Sequence, residues 1–534
     1  MGEIADDDRT RLSRRSLLAG AAGGALALAA GTSTRLTGLG LEPAAAARLE
    51  PFTRPLPIPE VLTGSELVIP MRAAKVAVLP GRRTEMWTYG GTFPGPTIRR
   101  PAGEPTSVRF VHQLPVEAGE LTVHLHGGHN SSDDDGQPGG VTAVQPQALY
   151  CDISPGLSAS ESGNDLLIAP GGARTYHYDL SEDGAPERGS FQWYHDHRLE
   201  RTARNVWRGL AGMWIIDDEL DGSLPLPSED RDIPLMLADR SFDARNQLTD
   251  PFEQDRRPPD DGVTGKRVLV NGAVLPRHRV RAQRYRLRIL NASNFRSYNV
   301  ALTGGTAMVQ IATEAGLMPK PVKRRRILLG PGERVEVIVD FATARGERVR
   351  LVSERRSRPD ALGSRTFKGA LMEFRVEDRR RADSTAIPQE LRPLPAWVAE
   401  ASAAVEHSWQ VAVGGGIRPR WLINGRAFDP AYVDARPELG SVVTWELHNR
   451  TAVAHLMHLH HTDWYMLSRN GRPPRPWERS LKETFFLDPG ERVVVAGKLS
   501  DYTGKYVVHC HMLDHEDHGL MSQFEVVEPG TGPS

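Results

Sequence analysis

Four short clusters contain ten of the 18 histidines, and one of the clusters also contains a cysteine. They are His124-Leu125-His126-Gly127, His195-Asp196-His197, His455-Leu456-Met457-His458-Leu459-His460, and His509-Cys510-His511 with His515 shortly after. A single His-x-His pair is usually an ordinary surface or core feature. Four clusters in one chain indicate a site that needs many imidazoles, and imidazole is the commonest metal ligand among side chains.

Strand geometry explains the spacing. Residues i and i+2 of a β-strand point to the same face, so each His-x-His pair delivers two imidazoles to one site. In the 509–511 cluster both imidazoles face one way and the thiolate faces the other. A metal on Cys510 is then joined, through one residue of backbone, to metals held by His509 and His511. This is a short covalent path for electrons.

The ligand types select the metal. Many imidazoles with one thiolate suit copper, and a His₂Cys set with a weak axial ligand is typical of a blue-copper electron-transfer site. Zinc prefers closed four-ligand sites and would leave most of the ten histidines without a role. The clusters therefore predict copper centres.

The chain repeats itself around these clusters. Pro170, Pro331 and Pro489 each begin a Pro-Gly turn followed by an alternating strand, at intervals of about 160 residues, which predicts three copies of one domain. The histidine clusters lie in the first and third copies and are absent from the second. We expect domains at 48–225, 226–385 and 395–530, with charged, proline-rich linkers at 217–232 and 378–395.

Short alternating strands between Gly and Pro turns run through all three copies, with few stretches at helical period. This pattern predicts an all-β protein of antiparallel sandwiches or barrels. At 534 residues the chain is too long for one ordinary core.

Charge and cysteine content exclude other classes. The formal net charge of −1 argues against nucleic-acid binding, which needs a basic excess, and we interpret Lys323 to Arg326 as solvated surface. Two cysteines make no disulfide framework. We expect Cys151 to be buried and inert.

The first 47 residues resemble an export signal. Ser13 to Leu18 form a twin-arginine pattern, and an Ala/Gly/Leu-rich run continues to Ala30. That run is shorter than the about 20 apolar residues that cross a bilayer. Small residues at Ala44 to Ala47 suit cleavage. We expect export by the twin-arginine machinery to a secreted, periplasmic or cell-wall location, without stable membrane insertion; the alternative is an Ala-rich tail.

Four motifs in this order carry a family resemblance. They are HLHGG at 124–128, WYHDH at 193–197, HLMHLH at 455–460 and HCHMLDHED at 509–517. From about Pro80 to Val527 the chain resembles three-domain multicopper oxidases, in the branch with bacterial spore-coat laccase, bilirubin oxidase and phenoxazinone synthase. The resemblance implies three tandem cupredoxin-like Greek-key domains, four copper ions and dioxygen as electron acceptor.

The resemblance also implies a role for each ligand. His455, Cys510 and His515 match the type 1 copper ligands, and His124 and His458 match the type 2 positions. The type 3 pair matches His126, His195, His197, His460, His509 and His511. These roles imply a trinuclear cluster between the first and third domains, with the middle domain as a spacer.

Two carboxylates match positions that serve oxygen reduction in this branch. Glu516 directly follows a copper ligand and matches a proton-supplying position, and Asp135 matches a position that lines the water channel. Reducing dioxygen to two waters consumes four protons, which acidic groups within reach can deliver. The alternatives are an ordinary surface carboxylate for Glu516 and an ordinary turn residue for Asp135.

One position departs from the branch. Met usually stands five residues after the second type 1 histidine, whereas this chain has Leu520 there and Met521 next. Leucine cannot coordinate, so we expect a three-coordinate type 1 copper with a raised potential. A local shift that brings Met521 to the copper is the alternative.

The leading hypothesis is an oxidase of phenols, aromatic amines or similar reductants, with electrons entering at a partly exposed histidine. A second hypothesis is oxidation of cuprous or other metal ions for copper tolerance, although the 12 methionines form no Met-rich insertion. A third is a copper-free structural relative, which the complete ligand set disfavours. The third repeat disfavours a two-domain copper nitrite reductase.

Overall fold

The computed structural model describes residues 49–139, 166–252, 262–356, 366–414 and 420–531. All the described residues belong to one compact unit. The expected signal peptide, its cleavage site and Cys151 lie outside the described residues.

The first sandwich extends from Val61 to Asp217. Its strands are β1 Val61–Leu62, β2 Glu66–Val76, β3 Thr84–Tyr89, β4 Thr97–Pro101, β5 Thr106–Gln113, β6 Val123–His126, β7 Ala173–Tyr178, β8 Ser181–Glu182, β9 Ala185–Pro186, β10 Ser190–Asp196 and β11 Ala211–Asp217. One sheet has the order β1-β4-β11-β10-β6, the other has the order β3-β2-β5-β7, and β8 pairs with β9. Side chains from both large sheets, such as Ile69 and Trp214, share one buried core.

The middle sandwich extends from Asp232 to Arg380. Its strands are β12 Asp232–Arg240, β13 Arg267–Val270, β14 Ala273–Val274, β15 Arg277–Ala282, β16 Arg284–Asn291, β17 Ser297–Leu302, β18 Met308–Thr313, β19 Gly316–Arg324, β20 Ile327–Leu329, β21 Arg334–Asp340, β22 Arg348–Ser353, β23 Thr366–Phe367 and β24 Gly369–Arg380. The two sheets have the orders β14-β13-β12-β16-β21-β18-β19 and β15-β24-β22-β17-β20, with β23 beside β17. Leu287, Val337 and Leu351 belong to the shared core.

The third sandwich extends from His407 to Val526. Its strands are β25 His407–Gly414, β26 Arg420–Ile423, β27 Val442–Asn449, β28 His455–Leu459, β29 Trp464–Arg469, β30 Leu481–Lys482, β31 Thr484–Leu487, β32 Arg492–Lys498, β33 Gly504–Cys510 and β34 Met521–Val526. The sheets have the orders β26-β25-β27-β32-β29-β30 and β31-β28-β33-β34. Four tryptophans, Trp409, Trp421, Trp445 and Trp464, belong to the same buried core as Cys510.

The α-helices within the described residues are short. They are α1 Thr202–Arg208, α2 Glu219–Ser223, α3 Trp397–Glu400 and α4 Leu513–Asp517. In the part of the chain that the structure describes, no helix has the length and apolar character needed to cross a bilayer. The expected all-β class with sandwich domains is confirmed.

The three Pro-Gly turns lead into strands with equivalent positions. β7, β21 and β32 each pair antiparallel with a strand, β5, β16 or β27, that is itself parallel to β2, β12 or β25. The sheets are therefore mixed, whereas the sequence pattern predicted antiparallel sheets. Alternation of buried and exposed residues is the same for both pairings, so it does not reveal the direction of a neighbouring strand.

Candidate metal centres

One ligand group lies inside the third sandwich. β28 begins with His455, β33 ends with Cys510, and α4 carries His515. Cys510 Sγ lies 3.5 Å from His455 Nδ1 and 3.7 Å from His515 Nδ1, and the two nitrogens are 3.2 Å apart. These separations suit one metal ion with bonds of about 2.0–2.3 Å to nitrogen and sulfur. The three residues predicted for the type 1 site are therefore brought together.

Burial controls the protonation of this group. It lowers the pKa of His455 to about 3, so the ring is neutral and keeps a lone pair for a metal. It raises the pKa of the Cys510 thiol to about 12. A buried thiol of this kind stays protonated until a metal cation displaces the proton, because the thiolate is the form that binds metal. The donor set fits a copper ion that carries the compensating charge.

Apolar and aromatic side chains surround these ligands. The Trp421 ring lies 4.5 Å from the His515 ring and 4.9 Å from the His455 ring, and Phe295 packs edge-on against His515 at 4.9 Å. Both histidines are fully buried. The expectation of a partly exposed histidine differs from this arrangement, because the two aromatic rings cover the imidazoles.

Packing distinguishes Leu520 from Met521. Leu520 belongs to the same buried cluster as Cys510, and its carbonyl oxygen accepts a hydrogen bond from the Cys510 backbone nitrogen at 3.0 Å. Met521 belongs to a separate cluster with Leu199, Phe428 and Val507. Neighbouring residues of an extended segment point to opposite faces. The structure thus directs Leu520, and not Met521, toward the cysteine side of the strand.

The alternation of β33 connects this group to a second one. Tyr506, Val508 and Cys510 point into the core of the third sandwich. His509 points the other way, toward the first sandwich, where its Nε2 atom lies 3.2 Å from His197 Nε2. The sequence argument expected this opposition of thiolate and imidazoles.

Eight buried histidines form the second group, half from each outer sandwich. They are His124 and His126 of β6, His195 of β10 with His197, His458 of β28 with His460, and His509 of β33 with His511. His460 Nε2 lies 3.1 Å from His509 Nε2, and His124 Nε2 lies 3.4 Å from His458 Nε2. The structure therefore gathers every histidine predicted for the type 2 and type 3 sites.

Several ring nitrogens are oriented by oxygen atoms behind them. Nδ1 of His124 donates to the Asp135 carbonyl at 2.6 Å, Nδ1 of His195 to the Asp196 carbonyl at 2.8 Å, and Nδ1 of His458 to the Glu483 carbonyl at 3.1 Å. Their Nε2 lone pairs then face the interior of the group. Such outer partners set the tautomer of a metal-binding histidine.

His126 has the opposite orientation. Its Nε2 atom lies 3.1 Å from Glu483 Oε1 and 3.2 Å from Thr484 Oγ1, while its buried Nδ1 atom has no hydrogen-bond partner among the described residues. Both buried ring nitrogens of His511 also lack a partner among those residues. Buried polar atoms are nearly always paired. Metal ions at these nitrogens would satisfy them, so the residues fit bound copper.

Burial keeps six members of this group neutral. It lowers their pKa well below the ordinary histidine range, and neighbouring imidazoles lower it further. These are His126, His195, His197, His458, His460 and His511. Neutral imidazole is the ligand form, and six neutral rings facing one another favour cations between them.

The two predicted carboxylates lie next to the Nδ1 atoms of different histidine rings. Asp135 Oδ2 accepts a hydrogen bond from His460 Nδ1 at 2.7 Å. Glu516 lies 3.2 Å from His509 Nδ1 and 3.7 Å from His197 Nδ1. Burial alone would raise the pKa of Glu516, but the two imidazoles outweigh it and the pKa is lowered. Both carboxylates are buried, so neither is an ordinary surface group.

The middle sandwich also reaches the histidine group, which the expectation of a spacer did not include. Arg334 begins β21 and contacts Glu483, which contacts His126. Neither residue is among the candidates that the sequence suggests. Arg334 belongs to a Gly-Glu-Arg sequence that recurs at 490–492, so by sequence alone it is only part of the repeated turn. Glu483 lies in a segment without histidine and offers no sequence signal.

Comparisons with known proteins agree with this geometry. Three multicopper oxidase family profiles match residues 71–151, 232–353 and 401–530. A laccase of Haloferax volcanii is 33% identical over 97% of this chain and 91% of its own length. A laccase of Bacillus subtilis is 30% identical over 84% of this chain and 91% of its own length. A crystal structure of a multi-copper oxidase from Pediococcus acidilactici superimposes with a TM-score of 0.73, at 27% identity, covering 91% of this chain and 96% of the other.

Proposed function

The chain belongs to the multicopper oxidase family and has its cupredoxin-like β domains, and we propose that it acts as a laccase-like oxidoreductase. It is a copper enzyme that uses dioxygen and organic reductants. We infer four copper ions, one of type 1, one of type 2 and a type 3 pair. The reductants that we propose are phenols, aromatic amines and similar conjugated molecules.

One observation carries the proposal. Cys510 is grouped with His455 and His515 on one side of its strand, while His509 and His511 enter the eight-histidine group on the other side. Cys510 is thus bonded through the backbone to His509 on one side and to His511 on the other. This links a site that takes up single electrons to a site that can collect several. Such a link serves a reaction in which single electrons are collected for a four-electron reduction.

The residues divide the work as follows. His455, Cys510 and His515 would hold the type 1 copper, and the eight other histidines would hold the remaining three. Bound copper supplies the one-electron oxidation of the reductant and the reduction of dioxygen. Glu516 contacts the His509 and His197 rings, and Asp135 contacts the His460 ring. We propose that these two carboxyl groups supply protons for the reduction of dioxygen to water.

The aromatic cover of the type 1 group limits how a reductant approaches. Trp421 and Phe295 stand against the His515 ring. Both rings are themselves buried, so a reductant can contact only the side chains outside them. Cuprous ion favours thioether or thiolate ligands, and the 12 methionines form no Met-rich insertion. For this reason we favour organic reductants over metal ions.

The location of the enzyme is part of the proposal. The twin-arginine pattern of the first 47 residues supports export of the folded protein to a secreted, periplasmic or cell-wall location. Export after folding allows copper to be bound before the chain leaves the cytoplasm.

The experiment is a visible spectrum and a copper count on purified protein, followed by oxygen uptake with a phenol, an aromatic amine, bilirubin and Cu(I). We expect four coppers per chain, a blue absorption band, and the fastest oxygen uptake with one of the organic compounds. Protein freed of copper by a chelator is the control. A preference for Cu(I) would replace the organic reductant by a metal ion, and colourless protein that binds zinc would overturn the whole proposal.

A further inference from the structure

A fully buried arginine of the middle sandwich spans the gap between the two outer ones. Arg334 Nε donates to the Phe191 carbonyl oxygen of the first sandwich at 2.7 Å. Its Nη1 atom makes a short ion pair with Glu483 Oε1 of the third sandwich. Its side chain has no exposed surface. Arg334, from the sandwich that contributes none of the predicted ligand histidines, thus contacts both sandwiches that contain them.

Glu483, the partner of Arg334, also contacts two members of the histidine group. The oxygen that receives Arg334 lies 3.1 Å from His126 Nε2, and the Glu483 carbonyl oxygen accepts from His458 Nδ1 at 3.1 Å. A single residue therefore touches one ring through its side chain and another through its backbone. The two rings stack on each other with their centroids 3.8 Å apart.

The middle sandwich also holds the backbone of Glu483. Glu314 Oε2 accepts hydrogen bonds from the backbone nitrogens of Glu483 at 3.2 Å and Thr484 at 3.1 Å. Its other oxygen pairs with Lys482 Nζ at 2.8 Å, and Glu333 pairs with the same nitrogen at 3.1 Å. Residues 482–484 are therefore fixed by carboxylates of the middle sandwich from one end to the other.

Close backbone approach confirms how tightly the parts fit. A Cβ atom on Gly127, directly after His126, would lie 2.3 Å from Arg334 Nη2. A Cβ atom on Gly332 would lie 2.9 Å from the His511 ring. Both glycines also have positive φ angles, of 87° and 84°, that favour glycine. The turn before Arg334 thus packs against the metal-ligand segments of both outer sandwiches.

We propose that Arg334 is a positioning residue of the trinuclear site, which fixes Glu483 so that the His126 ring presents its Nδ1 atom to the metals. This inference rests on the proposed function, and it gives the middle domain a direct part in assembling the cluster. Buried ion pairs often add little stability compared with apolar residues of similar size. A positioning role accounts for a charge pair at this place better than stability does.

The test is a double variant, Arg334→Met with Glu483→Leu, which removes both charges together and leaves no buried charge unpaired. The control is Arg288→Met, which removes another buried arginine of the middle sandwich. Arg288 pairs with Asp232 and Glu336, and neither of these carboxylates is paired with a ligand histidine among the described residues. Thermal midpoints of the copper-free proteins identify any variant that does not fold.

Copper content and electron paramagnetic resonance give the readout. The two coupled type 3 ions give no electron paramagnetic resonance signal. Wild-type protein should therefore contain about twice as many copper ions as the resonance spectrum detects. In the double variant we expect an unchanged blue band. The type 3 ions should be either lost or no longer coupled to each other. In both cases the number of bound copper ions should equal the number detected by electron paramagnetic resonance. The control should keep the wild-type ratio.

Conservative replacement supplies a second measurement. Glu483→Gln keeps an oxygen that can accept from His126 Nε2, so we expect it to retain more of the silent pair than the double variant does. A folded double variant with the wild-type ratio would overturn the inference, and so would equal loss in the Arg288→Met control. Wild-type protein without a silent pair would instead contradict the proposed function itself.

Discussion

His197 Nε2 and His509 Nε2 lie 3.2 Å apart although 312 residues separate them along the chain. One belongs to the first sandwich and the other to the third, and both rings are fully buried. The Nδ1 atoms of both rings lie near Glu516, at 3.2 Å for His509 and 3.7 Å for His197, so the Nε2 atoms face each other with their lone pairs. This arrangement is unfavourable unless a cation lies between them. The histidine group is therefore complete only when the outer sandwiches dock and copper binds.

Replacing the cysteine should separate the two metal groups. Cys510→Ser removes the only thiolate among the predicted ligands, and we expect it to abolish the blue band while the eight-histidine group still takes up part of its copper. Copper counting together with a visible spectrum measures both effects. A blue band that survives the substitution would show that Cys510 is not the ligand.

Glu516→Gln tests proton supply. Glutamine keeps the size of the side chain near His197 and His509 but cannot deliver a proton. We expect the blue band and copper content to stay, and steady-state turnover to fall by about 100-fold or more, a typical contribution of general acid–base catalysis. Reduction of the type 1 copper by substrate without oxygen should remain nearly as fast as in the wild type.

The same variant distinguishes a structural role. If Glu516 only orients the two rings, Glu516→Gln should lose copper, and the fraction that remains loaded should reduce oxygen at the normal rate. Asp135→Asn allows the same comparison of copper content and turnover for the second carboxylate, because Asp135 accepts a hydrogen bond from the Nδ1 atom of His460. Rescue of turnover at lower pH, where other acids are protonated, would support proton supply by Glu516.

Leu520→Met tests the axial position of the type 1 copper. Leu520 packs in the cluster that contains Cys510, so a thioether placed there can approach the metal. We expect the type 1 potential to fall by about 0.1 V, roughly 2 kcal/mol for one electron, because axial ligands tune these sites. Phenols that are hard to oxidise should then react more slowly.

Met521→Leu is the control, and it should leave the potential nearly unchanged because Met521 packs with Leu199 and Phe428. Redox titration of the blue band measures both variants. A raised potential in Met521→Leu with no effect in Leu520→Met would identify Met521 as the axial ligand.

An ion pair between the outer sandwiches predicts a pH-dependent stability. His129 Nε2 lies 2.9 Å from Asp501 Oδ2. Burial alone would lower the pKa of His129, but its hydrogen bond to Asp501 helps to raise the pKa above the usual value. The same hydrogen bond is the main reason that the pKa of Asp501 falls to about 2.

The directions of the two pKa shifts define the pH range in which the ion pair stabilises the folded protein. The stability that His129 contributes is complete below its unfolded pKa of about 6.5 and is lost as pH rises through the higher folded pKa. The contribution of Asp501 is complete above about pH 4 and is lost as pH falls toward 2. His129→Gln should therefore destabilise most between about pH 4 and 6.5, by about 1–2 kcal/mol.

Thermal unfolding at several pH values measures this difference. Asp501→Asn should show the same pH window, because it removes the carboxylate of the same ion pair. A destabilisation that stays constant from pH 4 to pH 9 would mean that His129 contributes by packing alone.

Much of the chemistry was predictable because it depends on local spacing. The i, i+2 period of a strand places His509 and His511 opposite Cys510 whatever surrounds them. The Pro-Gly turns before β7, β21 and β32 could be recognised because turn residues act on their own backbone. The sequence by itself thus determined the all-β class, the ligand types and copper as the metal.

Tertiary structure decided everything that depends on contacts across the chain. Alternation cannot say which strand lies beside another or in which direction, so the parallel pairs and the docking of β21 against both outer sandwiches were not predictable. Leu520 and Met521 are adjacent, and only packing shows which of them faces Cys510. Arg334 and Glu483 lie 149 residues apart; their link to His126 exists only in the folded protein, because a buried charge finds its partner in space and not in sequence.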